Sequence, residues 1–179
     1  LSQQVESEVA TFDFSGKPNE LYDPIGYTMT LGGKRIRPTL CLLSAQLFGG
    51  DLSRAMNLAM AVEVFHNFTL VHDDIMDEAP IRRGKPAVHA KWNRDIAILS
   101  GDVMFVQAYQ LLAKGNSERL SQILSVFNQT AIEVCEGQQY DMEFEERSDV
   151  NIAEYLEMIR LKTSVLLAAA LHMGAMIAG

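Results

Sequence analysis

The chain has 179 residues, 48% of them hydrophobic, with a formal net charge of −8, which is enough apolar material for one domain with a sizeable core. That acidity, with basic residues confined to small clusters near 34–37 and 82–85, excludes an extended nucleic-acid-binding stripe. The two cysteines, Cys41 and Cys135, are far apart and lack metal-ligand spacing, so they read as reduced, buried thiols of a cytoplasmic protein and exclude a disulfide framework.

Nothing in Leu1-Ser2-Gln3-Gln4-Val5-Glu6 carries the basic and apolar regions of a signal peptide. The first informative segment is Leu31-Gly32-Gly33-Lys34-Arg35-Ile36-Arg37-Pro38, three cations around a paired glycine that permits a turn into the next helix and close backbone approach. Arginine offers bidentate donors and lysine a mobile point charge, so the set suits a polyanion held without metal. The alternative is a basic helix start with no ligand, but cations there oppose the helix dipole and lack a stability rationale.

Apolar residues then recur at helical spacing from Leu40 to Leu47, from Ala55 to Met76, from Ile96 to Leu112, from Leu120 to Cys135 and from Ile152 to Ala178. Turn signals separate these runs at Phe48-Gly49-Gly50-Asp51, Gly84-Lys85-Pro86, Lys114-Gly115-Asn116-Ser117 and Arg147-Ser148-Asp149-Val150-Asn151. No alternating strand pattern stands out. The short linkers predict an all-α, antiparallel helix bundle over residues 1–179 with no internal boundary, repeat or low-complexity segment. The most apolar stretch, Val165 to Gly179, is 15 residues with His172 inside. It falls short of the roughly 20 that span a bilayer, so it reads as a buried core helix.

The second of these runs ends in acid. Asp73 and Asp77 are one helical turn apart, on one face, and can share a hard divalent cation; Asp74 lies about 100° round the helix. A solvated acidic helix end is the alternative. The apolar residues Phe65, Phe68, Leu70, Val71, Ile75 and Met76 argue for burial instead, and carboxylates a turn apart repel by roughly 3 kcal/mol at an effective dielectric of 20. The later acidic run Asp141, Glu143, Glu145 and Glu146 reads as a solvated helix end. His66 lies two turns before Asp73 on the same face; taken alone it reads as a helix histidine with a satisfied hydrogen bond, as do His72 and His89.

Four segments in order, Gly32-Gly33-Lys34-Arg35-Ile36-Arg37-Pro38, then Asp73-Asp74-Ile75-Met76-Asp77 followed by Arg82-Arg83-Gly84, then Gly137-Gln138-Gln139-Tyr140-Asp141, and Lys162-Thr163, resemble the trans-isoprenyl diphosphate synthases. The resemblance implies the isoprenoid synthase fold, a helix bundle around a central cavity. It also implies magnesium-dependent condensation of isopentenyl diphosphate with an allylic diphosphate (dimethylallyl, geranyl or farnesyl) by a homodimer. Carried over residue by residue, it assigns the metal to Asp73 and Asp77, with Asp74 in the same catalytic motif. Lys34, Arg37, His66 and Arg83 correspond to residues that hold isopentenyl diphosphate. Arg82 and Lys162 correspond to those that meet the allylic diphosphate, and Gln138 and the Thr163 backbone to those that line the developing carbocation, Gln138 also near the allylic diphosphate. Asp141 completes its motif with a less defined role, a structural cap being an equal alternative.

Product length is set in this family by bulky residues four, five and eight positions before the first aspartate, here Thr69, Phe68 and Phe65. A small residue at the fourth position and an aromatic at the fifth resemble the synthases making geranylgeranyl diphosphate, while Phe65 points to farnesyl diphosphate; ordinary core packing is the bland account of both rings. The family also carries a second aspartate-rich motif on a later helix, which these 179 residues do not contain. The expectation is therefore the N-terminal two-thirds of a longer enzyme. A non-catalytic diphosphate-binding homologue, or a regulatory subunit of a prenyl synthase, is the alternative function.

Overall fold

The computed structural model describes residues 1–115 and 118–178. Of the predicted turn at Lys114–Ser117, Asn116 and Ser117 lie outside the described residues, as does Gly179. The elements run α1 (Ser2–Thr11), α2 (Asn19–Thr30), α3 (Ile36–Leu47), α4 (Leu52–Met76), a hairpin of β1 (Ile81–Arg82) and β2 (Lys85–Pro86), α5 (Val88–Lys91), α6 (Arg94–Gly115), α7 (Leu120–Glu146), α8 (Ile152–Ile159), one π-helical turn (Arg160–Ser164) and α9 (Val165–Met176). The only described strands are the two-residue pair, antiparallel with Ile81 opposite Pro86 and Arg82 opposite Lys85. The all-α expectation holds.

Helix α4 is the axis of the bundle. Asp51 starts it by accepting a hydrogen bond from the Ser53 backbone, which satisfies one of the orphan donors of the first turn. From Leu58 to Phe65 every residue is buried, so this stretch has no solvent face, as a helix enclosed by neighbours requires. α3, α6 and α9 pack around it. Toward its end α4 opens: Phe68, Leu70 and Ile75 are only partly buried and Met76 and Asp77 are exposed. The burial expected for the whole acidic turn is thus confined to Asp74, which is 3% exposed.

Helices α1 and α2 were not visible as periodic runs, because α1 buries only Val5 and Val9 and α2, though Ile25 and Met29 share its buried face, carries Pro24 and the polar Thr28 on that face. α7 continues eleven residues past Cys135 to Glu146. The run from Ile152 to Ala178 is broken into α8 and α9 by the π turn. α9 is half-buried: its inner face carries Leu166, Ala169, Ala170 and Met173, while Leu171 and His172 face outward. Among the described residues one helix, Arg94–Lys114 in α6, is long and apolar enough by length and composition to cross a membrane, a stretch the sequence reading passed over. Its Ala97, Met104, Ala108 and Leu112 are buried in the domain core.

Candidate active site

The end of α4, the hairpin, the middle of α7 and the π turn converge. Asp74 accepts from Arg82 of β1 through Nε at 2.9 Å, with the Arg82 Nη2 nitrogen also in contact. Arg82 Nη2 reaches Asp73 Oδ2 at 3.5 Å, and Lys162 Nζ lies 3.2 Å from Asp73 Oδ1 and 2.5 Å from Asp141 Oδ2. Hydrogen bonding to Asp74 holds the Arg82 guanidinium above its ordinary value. Burial disfavours the Lys162 charge, but Asp141 and Asp73 more than offset it. Burial, and then the neighbouring Asp73 charge, push the Asp77 carboxyl up.

Lys162 owes its position to two local features. Arg160–Ser164 forms a π turn, a one-residue distortion that re-aims side chains and recurs at functional sites. Gly137 of α7 sits against it so closely that a Cβ there would lie 2.7 Å from Leu161 C and Lys162 Cα, so only glycine lets the two backbones meet.

The second cluster lies around the glycine pair. Gly32 has φ +79° and Gly33 φ +151°, and the Arg83 guanidinium rests where a Gly33 side chain would be, donating to the Gly32 carbonyl. Arg37 Nη1 is 3.3 Å from His66 Nε2, and Arg37 Nε is buried without a hydrogen-bond partner. Burial lowers the pKa of Arg37 and of Arg83. His66 is pushed down to about 3, first by burial and then by Arg37, Arg83, Arg82 and Arg35, so its ring is neutral. Lys34 is exposed. The expectation of three cations around one anion needs correction, because Arg35 is 3% exposed and turned into the protein.

Between the clusters lies a cavity of about 320 Å³, with Arg37, His66, Asp73, Gln138, Lys162 and Thr163 among its polar lining, beside His72 and Gln139. Gln138 Nε2 is buried and unpartnered. Phe68, Thr69, Val134 and Leu166 form apolar wall. Phe68 stacks on Phe105 with centroids 5.1 Å apart. Phe65 does not line the cavity; it is 1% exposed, packed edge-on against Phe127 at 5.0 Å and against Phe68 at 5.6 Å. It forms a layer behind the wall. Lys34 and Asp77 are exposed and outside the lining, while Asp74, Arg82 and Arg83 border a separate small cleft beside it.

Several residues were misread or missed. Asp141 binds Lys162 and caps nothing, although Glu143, Glu145 and Glu146 are exposed as expected. Cys135, expected to be buried, is exposed and borders the cavity; its place one turn before Gln138 was the available signal. Burial raises the Cys41 thiol to about 12. His72 bonds the Ile98 carbonyl at 3.1 Å, whereas His89 Nδ1 is buried without a partner.

The polyprenyl synthetase family model matches residues 18–179. The chain belongs to that family. It is 48% identical over 165 residues to the geranylgeranyl diphosphate synthase of Methanosarcina mazei, an alignment covering 91% of this chain and 51% of that protein. It is 41% identical to the geranylfarnesyl diphosphate synthase of Natronomonas pharaonis, over 91% of this chain and 53% of that one. The crystal structure of geranylgeranyl pyrophosphate synthetase from Pyrococcus horikoshii Ot3 superposes with a TM-score of 0.88 at 40% identity, covering 99% of this chain and 54% of that one. The chain spans about half the length of the curated relatives it matches.

Proposed function

We propose that the protein carrying this chain is a short-chain prenyltransferase, joining an allylic diphosphate to isopentenyl diphosphate, head to tail, to give a C15–C20 prenyl diphosphate, with geranylgeranyl diphosphate favoured. The observation that carries this reading is a cavity flanked by two clusters, one with surplus carboxylates, reaching it through Asp73 and Lys162, and one with surplus cations, reaching it through Arg37 and His66. Such a pair of sites suits two diphosphates, one brought with metal and one bound bare.

Mg²⁺ fits the first cluster. Asp73 Oδ1 is buried with the Lys162 ammonium 3.2 Å away and no hydrogen bond of good geometry, and Asp77 is raised by burial and then by the Asp73 charge beside it. Both carboxylates sit at the C-terminal end of α4, where the helix dipole disfavours them, and Arg82 occupies Asp74. Asp73 and Asp77 would therefore hold the ion. When bound, it would supply charge neutralisation for the departing diphosphate.

The chain's own residues do the rest. Arg82 and Lys162 stabilise the diphosphate as the allylic carbon–oxygen bond breaks. Thr163 and Gln138 line the cavity beside the resulting cation, with Gln138 Nε2 as a donor toward the diphosphate. Lys34, Arg37, Arg83 and the neutral His66 ring hold isopentenyl diphosphate so that its double bond forms the new carbon–carbon bond at close range. The proton then lost goes to the released diphosphate. The apolar wall of Phe68, Val134 and Leu166 keeps water from the cation.

Assembly as a cytoplasmic homodimer is part of the same reading. Ile98, Leu99 and Val106 of α6 are 37%, 57% and 57% exposed, an apolar surface of the sort a second copy covers. Incubating the intact protein with Mg²⁺, isopentenyl diphosphate and each allylic diphosphate tests the reading. A C20 product on chromatography is expected. No condensation with any of the three allylic partners would overturn it in favour of a non-catalytic homologue.

A further inference from the structure

Arg35 lies between Lys34, which is exposed, and Arg37, which borders the cavity, yet points away from both. The cause is its backbone. Arg35 has φ +48° and ψ +36° at the start of α3, a left-handed conformation that is strained for a non-glycine residue. Something must hold it there.

What holds it is a set of bonds from all three guanidinium nitrogens. Nε donates to Glu6 Oε2 at 2.8 Å, Nη1 to Glu63 Oε1 at 2.5 Å and Nη2 to the Met29 carbonyl at 2.8 Å. The Arg35 and Glu63 side chains are 1% and 3% exposed, whereas Glu6 is 54% exposed. Glu63 is itself braced by Asn67, whose Nδ2 donates to Glu63 Oε1 at 3.0 Å and to its backbone carbonyl at 2.8 Å. With each nitrogen engaged inside the protein, Arg35 is not a substrate ligand.

The pair joins two elements that must keep register. Arg35 is the junction between the loop carrying Lys34 and α3, which carries Arg37, and Glu63 stands on α4 three residues before His66, the ring Arg37 meets at 3.3 Å. A buried ion pair is weak ground for stability, since hydrophobic replacements of such pairs are often neutral or stabilising. Its effect here is on orientation and charge. Glu63 neutralises Arg35, so the unpaired positive charge on this side is that of Arg37 at the cavity, Arg83 at the adjoining cleft and the exposed Lys34.

We propose that Arg35 and Glu63 are positioning residues for the isopentenyl diphosphate site: without touching substrate, they fix Arg37 against His66 and hold Lys34 outward. The proposal rests on the reading of Lys34, Arg37 and His66 as that site. Steady-state kinetics of the intact protein, with isopentenyl diphosphate and geranyl diphosphate varied in turn, test it on Arg35→Lys, Glu63→Gln, Glu6→Gln and Arg37→Ala. Arg35→Lys keeps the charge and loses the fork, and Glu63→Gln keeps an acceptor and loses the charge.

Both should raise KM for isopentenyl diphosphate about tenfold, the worth of one misplaced charge-assisted bond. The KM for geranyl diphosphate should stay within about twofold, and Glu6→Gln, at the exposed rim, should be near native. A lowered Tm with an unchanged KM for isopentenyl diphosphate would overturn the proposal and leave the pair structural. So would an equal rise in both Michaelis constants. If Arg37→Ala itself left that KM unchanged, the underlying site assignment would fall, and the positioning role with it.

Discussion

On the acidic side of the cavity both cations are already engaged by carboxylates, Arg82 by Asp74 and Lys162 by Asp73 and Asp141. On the basic side Arg37 meets only the neutral His66 ring and Arg83 only a backbone carbonyl. The shifts have opposite origins: Arg82 and Lys162 are raised by their partners, Arg37 and Arg83 lowered by burial. Asp73, Asp74, Asp77 and Asp141 outnumber Arg82 and Lys162 by two charges, which a divalent cation would cancel. Among the described residues no carboxylate forms a salt bridge with Lys34, Arg37 or Arg83, Glu63 being paired with Arg35, leaving a surplus that a bare diphosphate would answer. One side must exchange partners to bind; the other is ready.

The largest expected effect breaks the acidic side. Asp73→Ala or Asp77→Ala in the intact protein should lower kcat by roughly 10³-fold or more, the scale of losing a preorganised charge-stabilising group. Helicity by circular dichroism should be retained, since neither residue is part of the buried core. Near-native turnover of either variant at saturating Mg²⁺ would remove the metal assignment. Isopentenyl diphosphate binding, measured by calorimetry, should survive chelation of the metal while allylic diphosphate binding is lost.

Next in size is the split between sites. Alanine at Arg37, Lys34 or His66 should raise KM for isopentenyl diphosphate by about 10–100-fold, as for loss of a hydrogen bond to a charged group, with little change for the allylic partner. Arg82→Ala and Lys162→Ala should do the reverse. Arg82 carries a second cost, because its loss leaves Asp74 buried and unpaired, so Lys162→Ala is the cleaner reading. The opposite pattern would exchange the two assignments.

Much of this division was legible in the sequence, and the reason is spacing. Asp73, Asp77 and His66 lie on one helix, so helical geometry alone puts them on one face. The pairing of Lys162 with Asp141 was not legible, since it depends on a π turn and on backbone contact at Gly137, neither of which periodicity encodes. Arg35 was misread because a left-handed residue reverses the direction its neighbours suggest. Phe65 and Phe68 are three residues apart and look equivalent, but only contact across helices shows one at the cavity and the other behind it. Helices α1 and α2 escaped because α1 buries only two apolar residues, Val5 and Val9, and α2 has a proline, Pro24, inside it.

That layering makes a third prediction, on the wall between the two sides. Phe68→Ala should lengthen products by about one or two isoprene units with turnover reduced only several-fold. Phe65→Ala alone should mainly lower Tm, because a buried phenylalanine truncation costs about 3–5 kcal/mol. Chromatography showing longer products from Phe65→Ala, and none from Phe68→Ala, would reverse the order of the layers.

The smallest effect distinguishes the sides by proton uptake. The His66 pKa falls from an ordinary value near 6.5 to about 3 in the native protein, so between those values the unfolded chain takes up a proton the native one refuses. Stability attributable to His66 is therefore unaffected above pH 6.5 and falls as pH falls through that window. Asp77 acts in the opposite sense: its raised pKa lets the native state bind a proton first, so acidification relieves first the burial of its charge and then its repulsion with Asp73. Because Asp77 is exposed, that gain is small. A series of melting temperatures from neutral pH down to about pH 4 should fall less steeply in His66→Gln than in the native protein. Mg²⁺ should raise Tm at neutral pH in both, and should do nothing in Asp73→Ala. Parallel acid limbs in the two proteins would mean that His66 titrates as freely as an exposed histidine, and the basic side would lose its claim to being a desolvated site awaiting an anion.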